Sequence, residues 1–169
     1  EGASVIMLLD IPKEEYSIFF ETIGDGSSEV TARQLGEVAL RQFNHPAIIF
    51  CSTFLSAEGI AIDGETLMRN IENVVGSQVN IFGGMAGDDL SFTGSYVFTN
   101  NDATDYGLVA LIVDADKIAM QGMAISGWKP MGISRTITKS EGNLIYTIDD
   151  KPALETYMRF LGGDLSTAD

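Results

Sequence analysis

Between residues 47 and 82, two short apolar runs, Ala47–Cys51 and Val79–Phe82, bracket a segment whose apolar residues recur every three or four positions. Leu67, Met68, Ile71, Val74 and Val75 form one stripe from a start near Asp63, and Gly76 is placed to end it. A strand–helix–strand order predicts parallel pairing within a layered sheet. The same alternation precedes it. Val5–Leu9 and Ile18–Ile23 read as strands, and "TARQLGEVALRQF" reads as a helix, with Thr31 and Gln34 at capping-box spacing and Leu35, Val38, Ala39 and Phe43 on one face. After Phe82 the pattern changes: Ser95–Phe98, Tyr106–Val113, Ile118–Ser126, Ile133–Thr138 and Leu144–Ile148 all read as strands. A last helix is expected from Asp149 or Asp150, with Pro152 in its first turn, a stripe of Leu154, Tyr157, Met158 and Leu161, and Gly162–Gly163 as its stop. The expected fold is mixed α/β (α+β). Its layered mixed sheet has alternating strands and helices in the first half and an antiparallel strand meander in the second.

A chain of 169 residues, 45% apolar, has the size and content to fill one core. Its net charge of −14 argues against nucleic acid and against an anionic membrane surface, both of which demand clustered Lys and Arg. The longest apolar runs, such as Gly107–Val113, are too short to span a bilayer, and no signal peptide is recognisable. The lone Cys51 sits in the apolar run "AIIFCSTF" and has no partner for an internal disulfide; it reads as a small core residue. A cytoplasmic domain is expected. The start at Glu1 and the end "LGGDLSTAD" suggest a fragment of a larger multidomain protein.

The run "IFGGMAGDDLSFTGSYVF" places three glycines and two aspartates at the end of an apolar strand. It lacks the Lys-Ser or Lys-Thr of a phosphate loop, and a strand rather than a dinucleotide-binding helix follows it. Asp88 and Asp89, as neighbours in an extended chain, point to opposite sides, which is poor metal-site geometry. Two readings stay open. A tight turn uses glycine for positive φ and Asp to bond its own backbone; a pocket uses glycine for close ligand approach at the carboxyl end of a strand. Between Asp116 and Glu141 no acid occurs, yet Lys117, Lys129, Arg135 and Lys139 do. These cations either pair with acids across strands or hold a carboxylate, bidentately through Arg135. Trp128, beside Gly127 and Gly132, then supplies a wall, and a loop aspartate meets an amine, an arrangement suited to a zwitterion such as an amino acid. His45 reads as a structural surface residue. No nucleophile elbow or zinc signature is present, so no catalytic residue, metal or cofactor is assigned.

The order and spacing of "FGGMAGDDLSFTGSYVF", "GLVALIV" and "GWKPMGISRTITKSEGNLIYTIDDKPALETY" resemble the FIST sensory domain family, most closely from Val79 to Tyr157 and more loosely from Val5. The resemblance implies a single sensory-type domain over 1–169, the amino-terminal module with its first portion missing and the start of the carboxy-terminal module at 149–169. It implies an input module of a bacterial signalling protein, fused to a chemoreceptor, histidine-kinase or cyclic-di-GMP-synthesising (GGDEF) output, that binds a small ligand such as an amino acid. It carries no established catalytic residues. The candidate ligand-facing residues are Gly83, Gly84, Gly87, Asp88, Gly127, Trp128 and Gly132, to which the charge reading adds Asp89 and Arg135. The rival readings are a hydrolase or metal-dependent enzyme centred on Asp88 and Asp89, and a protein–protein module that pairs through the edge of the meander.

Overall fold

The computed structural model describes residues 4–24, 27–88, 91–125, 127, 129–130, 132–142 and 144–161. The chain divides into two compact units, Glu1–Met123 and Ala124–Asp169. In the first, the strands are β1 (Tyr16–Thr22), β2 (Pro46–Thr53), β3 (Ile81–Ala86), the short pair β4 (Val97–Phe98) and β5 (Ala103–Thr104), and β6 (Gly107–Asp114). Four of them make one sheet in the order β1-β6-β2-β3. β2 and β3 run parallel, joined by the helix α2 (Gly64–Val75), while β6 runs antiparallel to both β1 and β2. The other helix of this unit, α1 (Ser28–Gln42), connects β1 to β2.

The α2 segment is helical because both ends are specified as well as the stripe. Asp63 caps it, accepting from the Glu65 amide at 3.0 Å and the Thr66 hydroxyl at 2.6 Å, and Gly76 closes it at φ 87°. Ala32, Leu35 and Ala39 of α1 and Leu67 and Ile71 of α2 pack with Ile48 and Phe50 of β2 and Leu108, Ala110 and Ile112 of β6. Burying each of the larger side chains contributes about 1.5–3 kcal/mol. The alternate residues of the strands point the other way. Cross-strand registers place Ile18, Leu111, Ile49 and Phe82 in one row, and Phe20, Val109, Cys51 and Gly84 in the next. Cys51 is therefore exposed rather than a core residue: the apolar run around it belongs to both faces, and its position falls on the face opposite the helices.

The mixed α/β fold, with alternation early and an antiparallel meander late, is as the sequence predicts. Several boundaries differ. Val5–Leu9 forms no strand; it is exposed, Val5 at 98%, and no described residue pairs with it, so apolar composition finds no ladder to join. Residues 119–125 likewise form no strand, although the Asn80 amide donates to the Met120 carbonyl at 3.2 Å and the Phe82 ring packs on Gly122. α1 starts earlier than the Thr31–Gln34 spacing suggests: Ser27 is its cap, accepting from the Val30 amide, and Thr31 is buried inside the helix.

The second unit holds β7 (Ile137–Glu141), β8 (Leu144–Ile148) and β9 (Lys151–Pro152), an antiparallel meander in that order, followed by α3 (Ala153–Leu161). Asp149 and Asp150 do not begin the helix. They form the two-residue turn between β8 and β9, with φ of 51° and 61°, a left-handed pair that Asp tolerates better than most residues. Pro152 is accordingly a strand residue just before the helix. The expected stop at Gly162–Gly163 lies outside the described residues. No helix among the described residues is long and apolar enough to cross a membrane.

Candidate functional site

Ile137 and Ile148 sit opposite each other on the β7–β8 ladder, on the same side of the meander. On α3, Tyr157 and Phe160 are three residues apart and so share a helix face. Together with Ile133, Thr156 and Arg135 these side chains line a cleft of about 310 Å³ within the second unit. Its wall is aliphatic and aromatic, with two hydroxyls, of Thr156 and Tyr157, and one cation.

Arg135 is held on two sides. Its Nη1 donates to Asp149 Oδ2 at 2.8 Å, and its guanidinium lies over the Phe160 ring, 4.9 Å from the centroid. The other oxygen of Asp149 accepts from the Thr136 amide at 2.9 Å, while the Asp149 amide donates to the Thr136 carbonyl at 2.8 Å. The Asp150 amide reaches the Thr138 hydroxyl at 2.9 Å. The left-handed turn is thus stitched to the segment that carries Arg135. The Asp149 carboxyl is held below its ordinary range, first by the Thr136 amide and then by the bond from Arg135. Of the five guanidinium N–H groups, the bond to Asp149 engages one.

The glycine segment is arranged differently from its sequence reading. Gly83 and Gly84 are residues of β3 itself, not of a loop after it. Gly83 has a φ of 150°, and a Cβ there would collide with the Phe50 carbonyl of β2. Gly84 and Gly87 have open space where a Cβ would stand. Asp88 binds its own loop: Oδ2 accepts from the Thr93 amide at 2.9 Å and from the Ser91 hydroxyl at 3.4 Å. Asp89 and Trp128 lie outside the described residues. Gly127 and Gly132 have open space at the Cβ position, Gly132 at φ 75°, and they belong with Arg135 to the second unit, whereas Gly83, Gly84, Gly87 and Asp88 belong to the first.

His45 is exposed at the start of β2, its Nδ1 at 2.9 Å from both Asp116 oxygens. This hydrogen bond, with the negative charge of Asp116 adding to it, raises the imidazole pKa above its ordinary value. His45 also borders a second cleft, of about 250 Å³, in the first unit. Among the described residues no three His, Cys, Asp or Glu side chains converge to hold a metal.

Of the cleft-lining residues, sequence reasoning singled out Arg135 as an anchor and Tyr157 as part of a helix stripe. It missed Ile133, Ile137, Ile148 and Phe160 as a wall and Asp149 as the partner of Arg135. The available signal was the pair Asp149–Asp150 directly after the β-prone stretch Leu144–Ile148, which marks a tight turn as readily as a helix start.

Compared with known proteins, the chain is 30% identical over 95 residues to the uncharacterized protein MJ1623 of Methanocaldococcus jannaschii, a match covering 55% of this chain and 18% of that protein. The chain thus spans about a fifth of the length of the curated relative it matches. No solved structure matches it. The family model described as the FIST N domain matches residues 1–151, nearly the whole chain, and the chain therefore belongs to this family of sensory domains.

Proposed function

We propose that the chain is the ligand-sensing input module of an intracellular signalling protein and that it takes small carboxylates, a class that includes amino acids. The observation that carries this reading is the cleft at Arg135. A single guanidinium in an apolar wall suits a molecule with a carboxylate at one end. Membership of a sensory family supports the same reading. Gly132, three residues before Arg135, gives the anchor's approach segment a residue without a side chain. The setting we propose is cytoplasmic, in a bacterial protein whose fused output is a chemoreceptor, a histidine kinase or a cyclic-di-GMP-synthesising domain. Binding shifts a two-state equilibrium and so biases that output; coupling of about 1–3 kcal/mol between the states suffices.

A thermal-shift screen of the chain against the twenty amino acids and a panel of small mono- and dicarboxylates tests this. A rise in Tm for one compound class that follows the logarithmic concentration dependence of single-site binding supports it. No rise with any member sinks it. A second reading, a protein–protein module, draws on the exposure of Ile133 (79%), Leu144 (55%) and Leu154 (53%) in the second unit. It predicts association that no carboxylate alters, measurable by sedimentation.

A further inference from the structure

We infer that the cleft at Arg135 selects a monocarboxylate with an apolar body, branched aliphatic or aryl, over the matching α-amino acid and over dicarboxylates. The inference rests on the reading of the chain as a carboxylate sensor and narrows it to one chemistry. The described lining supplies one cation, neutral hydroxyls at Thr156 and Tyr157, and otherwise Ile133, Ile137, Ile148 and Phe160. It supplies no carboxylate. An α-ammonium group lies within two bonds of the carboxylate carbon, so a zwitterion docked on Arg135 brings a second cation close to the guanidinium, with isoleucine and phenylalanine rather than an acid beside it. The acid nearest at hand, Asp149, is not part of the lining, and its two oxygens already accept from Arg135 and the Thr136 amide. A dicarboxylate has the converse fault: its second charge meets aliphatic wall.

The geometry also says where the ligand carboxylate binds. One face of the guanidinium is stacked on Phe160 and one N–H is committed to Asp149, which leaves further N–H donors in the planar fork for a two-point bond. A volume of about 310 Å³ lies at the small end of ligand pockets, which fits a body of the size of a phenyl or isobutyl group. Asp149 then acts as the group that orients Arg135, and it is a positioning residue rather than a ligand contact.

The test is a calorimetric titration of the whole chain with four probes: 3-phenylpropionate, L-phenylalanine, 3-phenylpropanamide and succinate. The aliphatic pair 4-methylpentanoate and L-leucine serves as a second series. The expected order puts each deaminated acid at least about tenfold tighter than its amino acid, and 3-phenylpropionate at least about tenfold tighter than its amide. Arg135→Gln should abolish the preference for acid over amide while far-UV circular dichroism is unchanged. If that variant loses its fold, the wild-type series still decides. An amino acid that binds as tightly as its deaminated partner, or succinate binding above 3-phenylpropionate, overturns this inference and leaves carboxylate sensing standing. No heat and no Tm shift with any carboxylate overturns both.

Discussion

Gly83 and Gly84 are adjacent in sequence and in the same strand, yet replacing each with alanine should have opposite consequences. At Gly83 the new Cβ points into the Phe50 carbonyl, and Phe50 is the residue that opposes it across the parallel β2–β3 pair. The obstacle is backbone, which cannot rotate aside as a side chain would. A side chain at φ 150° adds strain of about 1–3 kcal/mol, and forcing an extra atom into a packed site adds about 1–3 kcal/mol more. Gly83→Ala should therefore cost about 2–6 kcal/mol. At Gly84 no described atom lies within 4 Å of the new one, and the loss of glycine's freedom in the unfolded chain favours the variant by about 0.4–1 kcal/mol. Urea unfolding followed by far-UV circular dichroism reads the difference. With a slope of about 2 kcal/mol per molar, the Gly83→Ala midpoint should fall by about 1 M or more and the Gly84→Ala midpoint should hold or rise. Equal effects at the two positions would refute the argument that Gly83 is a strand-packing residue and Gly84 an open one.

Ser52 and Thr53 make a similar contrast on β2. Thr53 is fully buried and its hydroxyl accepts from the Gly107 amide at 3.1 Å, so Thr53→Val should cost about 1–3 kcal/mol in the same assay. The buried Ser52 hydroxyl has no partner among the described residues, and Ser52→Ala should leave stability unchanged or raise it by about 1 kcal/mol. Removing the α2 cap with Asp63→Ala should cost about 1 kcal/mol near neutrality. The Asp63 carboxyl is held below its ordinary range, chiefly by the Thr66 hydroxyl, so this contribution is complete above the ordinary carboxylate range and disappears as pH falls through the lowered value; the wild type and the variant should converge in strong acid. The chain has one histidine, so an NMR titration of its imidazole reports on His45 alone. Its pKa should lie above the ordinary value and fall in Asp116→Asn, and the stabilisation it brings is present at low pH and lost as pH rises through the raised value.

How far the fold was legible depends on whether a signal was local. The α2 helix could be read whole because its cap, stripe and terminating glycine are all within fourteen residues. Strand identity was harder, since a strand exists only through its partner. Val5–Leu9 and β6 have similar composition, but β6 lies between two strands while the first run is left without a described partner. The glycine run looked like a loop because nothing in sequence reveals that Phe50 opposes Gly83. For the cleft, the anchor was legible as an excess of cations around Arg135. The wall was not, because Ile133, Ile137 and Ile148 meet Tyr157 and Phe160 only once the meander has folded and α3 has packed beside it.

The Arg135 cleft is the place where this reading has the sensory domain receive its ligand. An ¹⁵N-labelled sample titrated with 3-phenylpropionate tests it most directly, with amide shifts followed residue by residue. Saturable shifts should concentrate at Ile133, Arg135, Ile137, Ile148, Tyr157 and Phe160, with Asp149 moving as its bond to Arg135 adjusts. Saturable shifts confined to the segment from Gly83 to Asp88, or no shift at any amide, would contradict it.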